Sequence, residues 1–300
     1  MFNLGAMLKA EAQESPLAGA EADRWWRRAA AAGEVRAMVN LGNALHDRGD
    51  TAEAEQWFRR AAAAEDPLGM SNLGALLKDR GGDAALAEAE QWQRRAAEGG
   101  SAAAMFNLGI LLQERSDDAE AEHWWRRAAA TGDPDAMNNV GALLALSGNE
   151  AEAEQWYRRA AEAGSVDAMN SLGLLLTQTG HSHATAEAEE WYRRAAATGH
   201  SAAMVNLGGT LASRGVHEDA EASYREAIAT GDPDQAPRAL VNLGTLLHGT
   251  DRLDRAEASY REAAATGHPD QAPPALFNLG LLLNQQGRRE EAEESYQQAA

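Results

Sequence analysis

Apolar residues recur along this chain with a helical period, and the pattern itself is repeated. In residues 34–66, Met38, Leu41, Gly42 and Leu45 fall at i, i+3, i+4 and i+7, which marks one buried face of an α-helix. Arg48, Gly49 and Asp50 interrupt that face. Ala54, Phe58 and Ala61 then open a second apolar stripe, with Trp57 beside it. A helix, a short turn and a second helix are expected. The passage returns around Gly5, Gly42, Gly74, Gly109, Gly141, Gly173, Gly208, Gly244 and Gly280, at intervals of 32 to 37 residues. A period of this size specifies stacked supersecondary units in place of one globular core.

The ends of the predicted helices are marked. A glycine inside an apolar helical face costs about 1 kcal/mol relative to alanine, so its recurrence points to a close approach of two helices. Gly33, Gly132, Gly164, Gly199, Gly231 and Gly267 follow the second helices and read as C-terminal stops. Asp133-Pro134 and Asp232-Pro233 read as a capping acid before a first-turn proline. Ser101, Ser165 and Ser201 read as capping hydroxyls in the same slot. Glu55–Arg59, Glu90–Arg94, Glu122–Arg126, Glu154–Arg158 and Glu189–Arg193 have the spacing and order of exposed helix ion pairs, which predicts a solvated surface.

These residues resemble the tetratricopeptide repeat superfamily, and in particular its Sel1-like branch. Met38, Leu41-Gly42, Leu45, Ala54, Phe58 and Ala61 fit the general repeat. The stretches Trp156-Tyr157 to Gly164 and Trp191-Tyr192 to Gly199 carry the Sel1-like flavour. The expected architecture is an all-α solenoid of about nine helix-turn-helix repeats forming a right-handed superhelix. One solenoid domain is expected over 1–300, Sel1-like over 1–200 and closer to plain tetratricopeptide repeats over 201–300. In the latter part Ser223-Tyr224 and Ser259-Tyr260 replace the Trp-aromatic pairs. The chain starts and stops inside the repeat pattern, which suggests a piece of a longer protein.

Composition narrows the function. The net charge of −19 argues against nucleic acid, which demands a basic face. The absence of cysteine excludes disulfides and thiolate chemistry and fits a cytoplasmic setting. No apolar run is long enough to cross a bilayer. His181 and His183 lie in a lengthened turn without an acid at ligand spacing, so no metal is expected. No phosphate loop, nucleophile elbow or zinc helix motif occurs. Neither a cofactor nor an enzymatic activity is expected.

The candidate site is a row of asparagines. Asn3, Asn40, Asn72, Asn107, Asn139, Asn206, Asn242 and Asn278 each stand two residues before a repeat glycine, with Ser171 in the remaining unit. Helical geometry places them far round the first helix from its core face. The family resemblance implies that first helices line a concave groove. Asn is a mediocre helix former, and its carboxamide matches one peptide group with a donor and an acceptor. Such a row resembles the asparagines lining the repeat domain of O-linked N-acetylglucosamine transferases. Hydrogen bonding alone does not hold a peptide, because each bond is worth about 1 kcal/mol and each ordered residue costs about as much. Apolar contacts are expected from Phe106, Ile110, Leu174, Val205 and Phe277. A clamp for a C-terminal carboxylate needs converging cations, and only Arg36 and Arg238 lie on this face.

The expected partner is therefore a protein or peptide segment, basic or neutral in charge, bound along the asparagine-lined groove, with no nucleic acid and no membrane. The alternative is a structural or regulatory spacer that homo-oligomerises. The asparagines then bond neighbouring helices and set the superhelical pitch.

Overall fold

The computed structural model describes residues 16–178 and 182–300. Asn3 and His181 lie outside them. The chain is an all-α repeat solenoid, and among the described residues there are 17 helices. It divides into two compact units, Met1–Leu143 and Leu144–Ala300.

The described part of the first unit opens with the second helix of a repeat, α1 (Pro16–Ala31). Helix pairs follow: α2 (Val35–Asp47) with α3 (Thr51–Ala63), α4 (Pro67–Arg80) with α5 (Asp83–Glu98), and α6 (Ala102–Glu114) with α7 (Asp118–Ala129). Helix α8 (Pro134–Leu146) contains the boundary between the units. The second unit continues with α9 (Glu150–Glu162), then α10 (Val166–Gln178) with α11 (Ser182–Ala196), and α12 (Ser201–Ser213) with α13 (His217–Ala229). Its last pairs are α14 (Gln235–Gly249) with α15 (Leu253–Ala265) and α16 (Ala272–Gln285) with α17 (Arg289–Ala299).

Within each unit every helix packs on the one before and the one after it. First helices also touch the next first helix: α2 meets α4, α4 meets α6, α10 meets α12, α12 meets α14 and α14 meets α16. A first helix is thus covered on several sides. In α2 the buried set Ala37, Met38, Val39, Leu41, Gly42, Ala44 and Leu45 wraps more than half way round the helix. The remaining arc, where Asn40 sits, is narrow.

The repeat glycine is a notch for an aromatic ring. A Cβ on Gly173 would lie 2.6 Å from Tyr192, and one on Gly208 would lie 2.6 Å from Tyr224. Phe58 fills the notch of Gly42 and Trp125 that of Gly109. One pair departs from this plan. Gln93, 1% exposed, occupies the notch of Gly74 and donates to the Ser71 carbonyl at 2.9 Å. Trp125 Nε1 makes the equivalent bond to the Phe106 carbonyl at 3.0 Å.

Most punctuation falls where the sequence places it. Gly33 and Gly132 adopt φ of 91° and 95° after their second helices. Glu65, at φ 60°, does the same work without a glycine. Ser101 and Ser165 accept from Ala104 N and Ala168 N. Ser201 does not cap. The helix begins one residue earlier than expected, so His200 Nδ1 accepts from Ala203 N at 3.1 Å. Ser201 instead donates to Asp232 Oδ2 at 2.6 Å, and this bond holds the Asp232 carboxyl below its ordinary range. Asp232 accepts from Asp234 N and Gln235 N, and Pro233 lies in the turn before α14.

The Glu–Arg pairs form, yet they are more than solvated decoration. Glu55 binds Arg59 within its helix and also Arg80 at the end of the next first helix. Glu90 joins Arg94 and Arg115 in the same way, and Glu189 joins Arg193 and Arg214. The Glu189 side chain is only 7% exposed. These carboxylates tie one repeat to the next, so a purely local reading of the i,i+4 spacing underestimates them.

Candidate peptide-binding face

The seven described asparagines of the row, Asn40, Asn72, Asn107, Asn139, Asn206, Asn242 and Asn278, are all half-buried. Their shared depth follows from the narrow open arc of each first helix. Two of them are engaged. Asn72 Nδ2 donates to Asn43 Oδ1 at 2.8 Å, and Asn206 Nδ2 donates to Asn170 Oδ1 at 2.9 Å. Both bonds join adjacent first helices, and both need a second asparagine on the neighbour. Asn43 and Asn170 stand at positions that vary from repeat to repeat, so nothing in the periodicity marks them. The side chains of Asn40, Asn107, Asn139, Asn242 and Asn278 make no hydrogen bond to any described residue.

In the first unit Asn40 opens on a cleft of about 520 Å³. Arg36 and Val39 of α2, Pro67 and Leu68 of α4, and the link residues Gly100 and Ser101 also line it. Leu68 is 51% exposed, an apolar wall beside a free carboxamide. Two polar groups of the rim are already committed: Asp66 accepts from Gly69 N at 2.7 Å, and Ser101 accepts from Ala104 N. The cleft combines one cation, one unpaired amide and aliphatic surface. That combination suits a peptide better than a phosphate or a metal.

The expected apolar contacts divide. Phe106 and Ile110 are half-buried in the first unit. In the second unit Leu174 is 46% and Phe277 is 51% exposed. Phe277 lies against the Tyr296 ring, with centroids 5.7 Å apart. Leu281, one turn further along α16, is 45% exposed and extends this patch. Val205 is 1% exposed and belongs to the core, because the packing arc of α12 extends over its position. Arg36 lies in the first unit and Arg238 in the second. His248 Nε2 lies 2.7 Å from Gln285 Oε1, a link between α14 and α16. Among the described residues no group of acids and histidines has the arrangement to hold a metal ion, and no helix is long and apolar enough to cross a membrane.

The tetratricopeptide repeat profile matches residues 106–168, 206–273 and 241–300, and a second profile of that name matches 35–60. The Sel1 repeat profile matches residues 67–101 and 166–200. Among solved structures, the Sel1 repeat protein from Oxalobacter formigenes is 30% identical, with 75% of this chain and 98% of that chain covered and a TM-score of 0.62. A protective antigen of uropathogenic Escherichia coli with an SLR fold is 26% identical over 93% of this chain and 71% of that chain, with a TM-score of 0.49. Comparison with curated protein sequences gives no significant match. The chain belongs to the tetratricopeptide repeat superfamily, in its Sel1-like branch. Repeats of this kind generally mediate protein–protein interactions and are typically non-catalytic scaffolds.

Proposed function

We propose that the chain binds an extended protein segment along the exposed arcs of its first helices, gripping the segment's backbone through the unpaired asparagines. The observation that carries this reading is the state of the row. Five half-buried carboxamides have no hydrogen-bond partner among the described residues, although a mid-helix Asn contributes little to helix stability. A group that is partly desolvated and unpaired gains more from a guest amide than a fully hydrated one does. Specificity comes from the apolar surfaces beside them: Leu68 at the cleft of the first unit, and Leu174, Phe277 and Leu281 in the second. The charge of −19 favours a basic or neutral segment.

The test replaces Asn40, Asn107 and Asn139 together with Ala and titrates labelled, unstructured basic peptides with alternating apolar residues. Binding in the micromolar range is expected for the native chain. The triple variant is expected to lose at least about ten-fold in affinity, with its thermal midpoint within about 2 °C of the native one. Asn72→Ala is the contrast, since removing its amide breaks an existing bond and costs about 1 kcal/mol of stability. Unchanged peptide affinity alongside a sharp fall in the triple variant's stability would show that the row is structural. Assembly that grows with concentration in the absence of peptide would favour the oligomerising alternative.

A further inference from the structure

Every second helix from α1 to α11 carries a Trp at one register, Trp25, Trp57, Trp92, Trp124, Trp156 and Trp191, and in α3, α5, α7 and α11 it stands immediately before the notch-filling residue. Trp57, Trp92, Trp124, Trp156 and Trp191 sit in a recurring cradle. The indole N–H of Trp57, Trp92 and Trp191 donates to the glutamate four residues earlier, Glu53, Glu88 and Glu187, at 3.2–3.4 Å. That glutamate is ion-paired to an arginine of the preceding second helix, Arg27, Arg59 or Arg158. A second arginine, three residues after the Trp, lies over the ring, as in Arg60 on Trp57 at 4.4 Å.

The last three second helices keep the frame and lack the ring. Ser223, Ser259 and Ser295 stand at the Trp position, and each hydroxyl turns back to its own helix, bonding the carbonyl four residues earlier. At α17 almost everything else survives. Leu276, Leu279 and Leu283 form an apolar floor. Glu291 stands where the indole acceptor stands in the earlier repeats; Arg261 of α15 lies 3.6 Å from it, and Arg288 also holds it, with Nε 2.8 Å from Oε1, a bond an entering indole N–H would share. Gln298 replaces the stacking arginine. Between these groups lies a cleft of about 380 Å³. The corresponding cleft one repeat earlier, over Leu240, Leu243 and Leu247, measures about 290 Å³ and has Arg255 in place of the acceptor. It stays open although a further helix pair follows it.

We propose that the α15–α17 cleft binds a Trp side chain of a partner protein, presented beside a basic residue. The chain's own repeats show what such a cradle holds: an indole with its N–H on a carboxylate and a guanidinium over its face. A partner must supply the two missing parts, ring and cation. The charge is complementary, since α17 carries Glu290, Glu291, Glu293 and Glu294 against Arg289. The cleft lies between the second helices α15 and α17 over the core side of α16, and no asparagine of the row lines it.

The test titrates N-acetyl-Trp-Ala-Ala-Arg-amide, with a fluorine label on the indole, into the full chain and follows fluorine and leucine-methyl resonances. Saturable binding is expected in the range of about 0.1–1 mM. It should shift the methyls of Leu276, Leu279 and Leu283. Ser295→Trp, which restores the ring in cis, is expected to weaken binding at least about ten-fold, and Glu291→Gln about three-fold or more. Ser259→Trp, which fills the other cleft, and the triple asparagine variant are expected to bind the probe like the native chain. The proposal is overturned if the native chain gives no saturable shift, or if a Leu-for-Trp probe binds equally well. It is equally overturned if Glu291→Gln and Ser295→Trp both leave affinity unchanged, or if Ser259→Trp abolishes it. Should Ser295→Trp fail to fold, Glu291→Gln alone decides.

Discussion

The Trp-bearing repeats and the Ser-Tyr repeats stack the same helices by different means. In the former, successive second helices are joined by an indole, a carboxylate and two guanidiniums, arranged so that the ring is hydrogen-bonded at its edge and covered on its face. In the latter the ring is gone, while the recessed carboxylate two residues before its position, already present as Glu189 in the Trp191 repeat, still gathers arginines. Glu221, whose side chain is 8% exposed, gathers Arg225, Arg252 and Arg255. Glu257, 10% exposed, gathers Arg261 and Arg288. Among the Trp-bearing repeats the matching Glu55 is 19% exposed and Glu189 7%. The ionic tie is thus common to both kinds of repeat, and the stack tolerates loss of the indole where the glycine notch and its filler are kept.

The sharpest way to break this comparison is Trp124→Ala. Trp124 is 5% exposed, and its loss is expected to cost about 3 kcal/mol in denaturant unfolding. Ser223→Ala at the matching position should cost less than about 0.5 kcal/mol. Equal effects would mean that the indole is not what joins those helices.

Alkali separates the regions next. Burial pushes the Tyr224 phenol up to about 12 and raises those of Tyr157, Tyr192 and Tyr260. A raised folded value contributes stability that is complete below the ordinary value of 10.0 and is lost as pH climbs through the folded one. For Tyr224 the loss is on the order of 2 kcal/mol by pH 12. Repeats filled by Phe58, Gln93 or Trp125 contain nothing in the notch to ionise. Hydrogen exchange at rising pH should therefore open α12–α15 before α2–α7. The reverse order would contradict the burial of the phenols.

The smallest effect sharpens the ionic half of the comparison. Glu221→Gln is expected to cost about 1.5 kcal/mol, because it leaves three guanidiniums without their anion in a recessed site. Glu55→Gln should cost less than about 1 kcal/mol, since its surroundings are wetter. Thermal unfolding of the two variants in low and high salt would rank them.

Much of this was legible in the residues. Periodicity gives the helix pairs, and glycine recurrence gives the notch without any knowledge of its occupant. The asparagines are recognisable because they persist against helix propensity. What stayed hidden lies between repeats. The partners of Glu55 and Glu221 in the next repeat stand 25 to 34 residues away, and no local spacing reports them. Gln93 fills an aromatic slot that composition would leave vacant, and it succeeds because its amide reaches the Ser71 carbonyl. The Asn43–Asn72 and Asn170–Asn206 bonds depend on a chance second amide at a variable position.

Among the described residues, the main helix contacts within each unit run between near neighbours in sequence. Under mechanical tension, then, neither unit has a distant fastening that must snap first. Each helix pair would let go in turn, giving a graded series of small extensions and a tether that lengthens without failing outright.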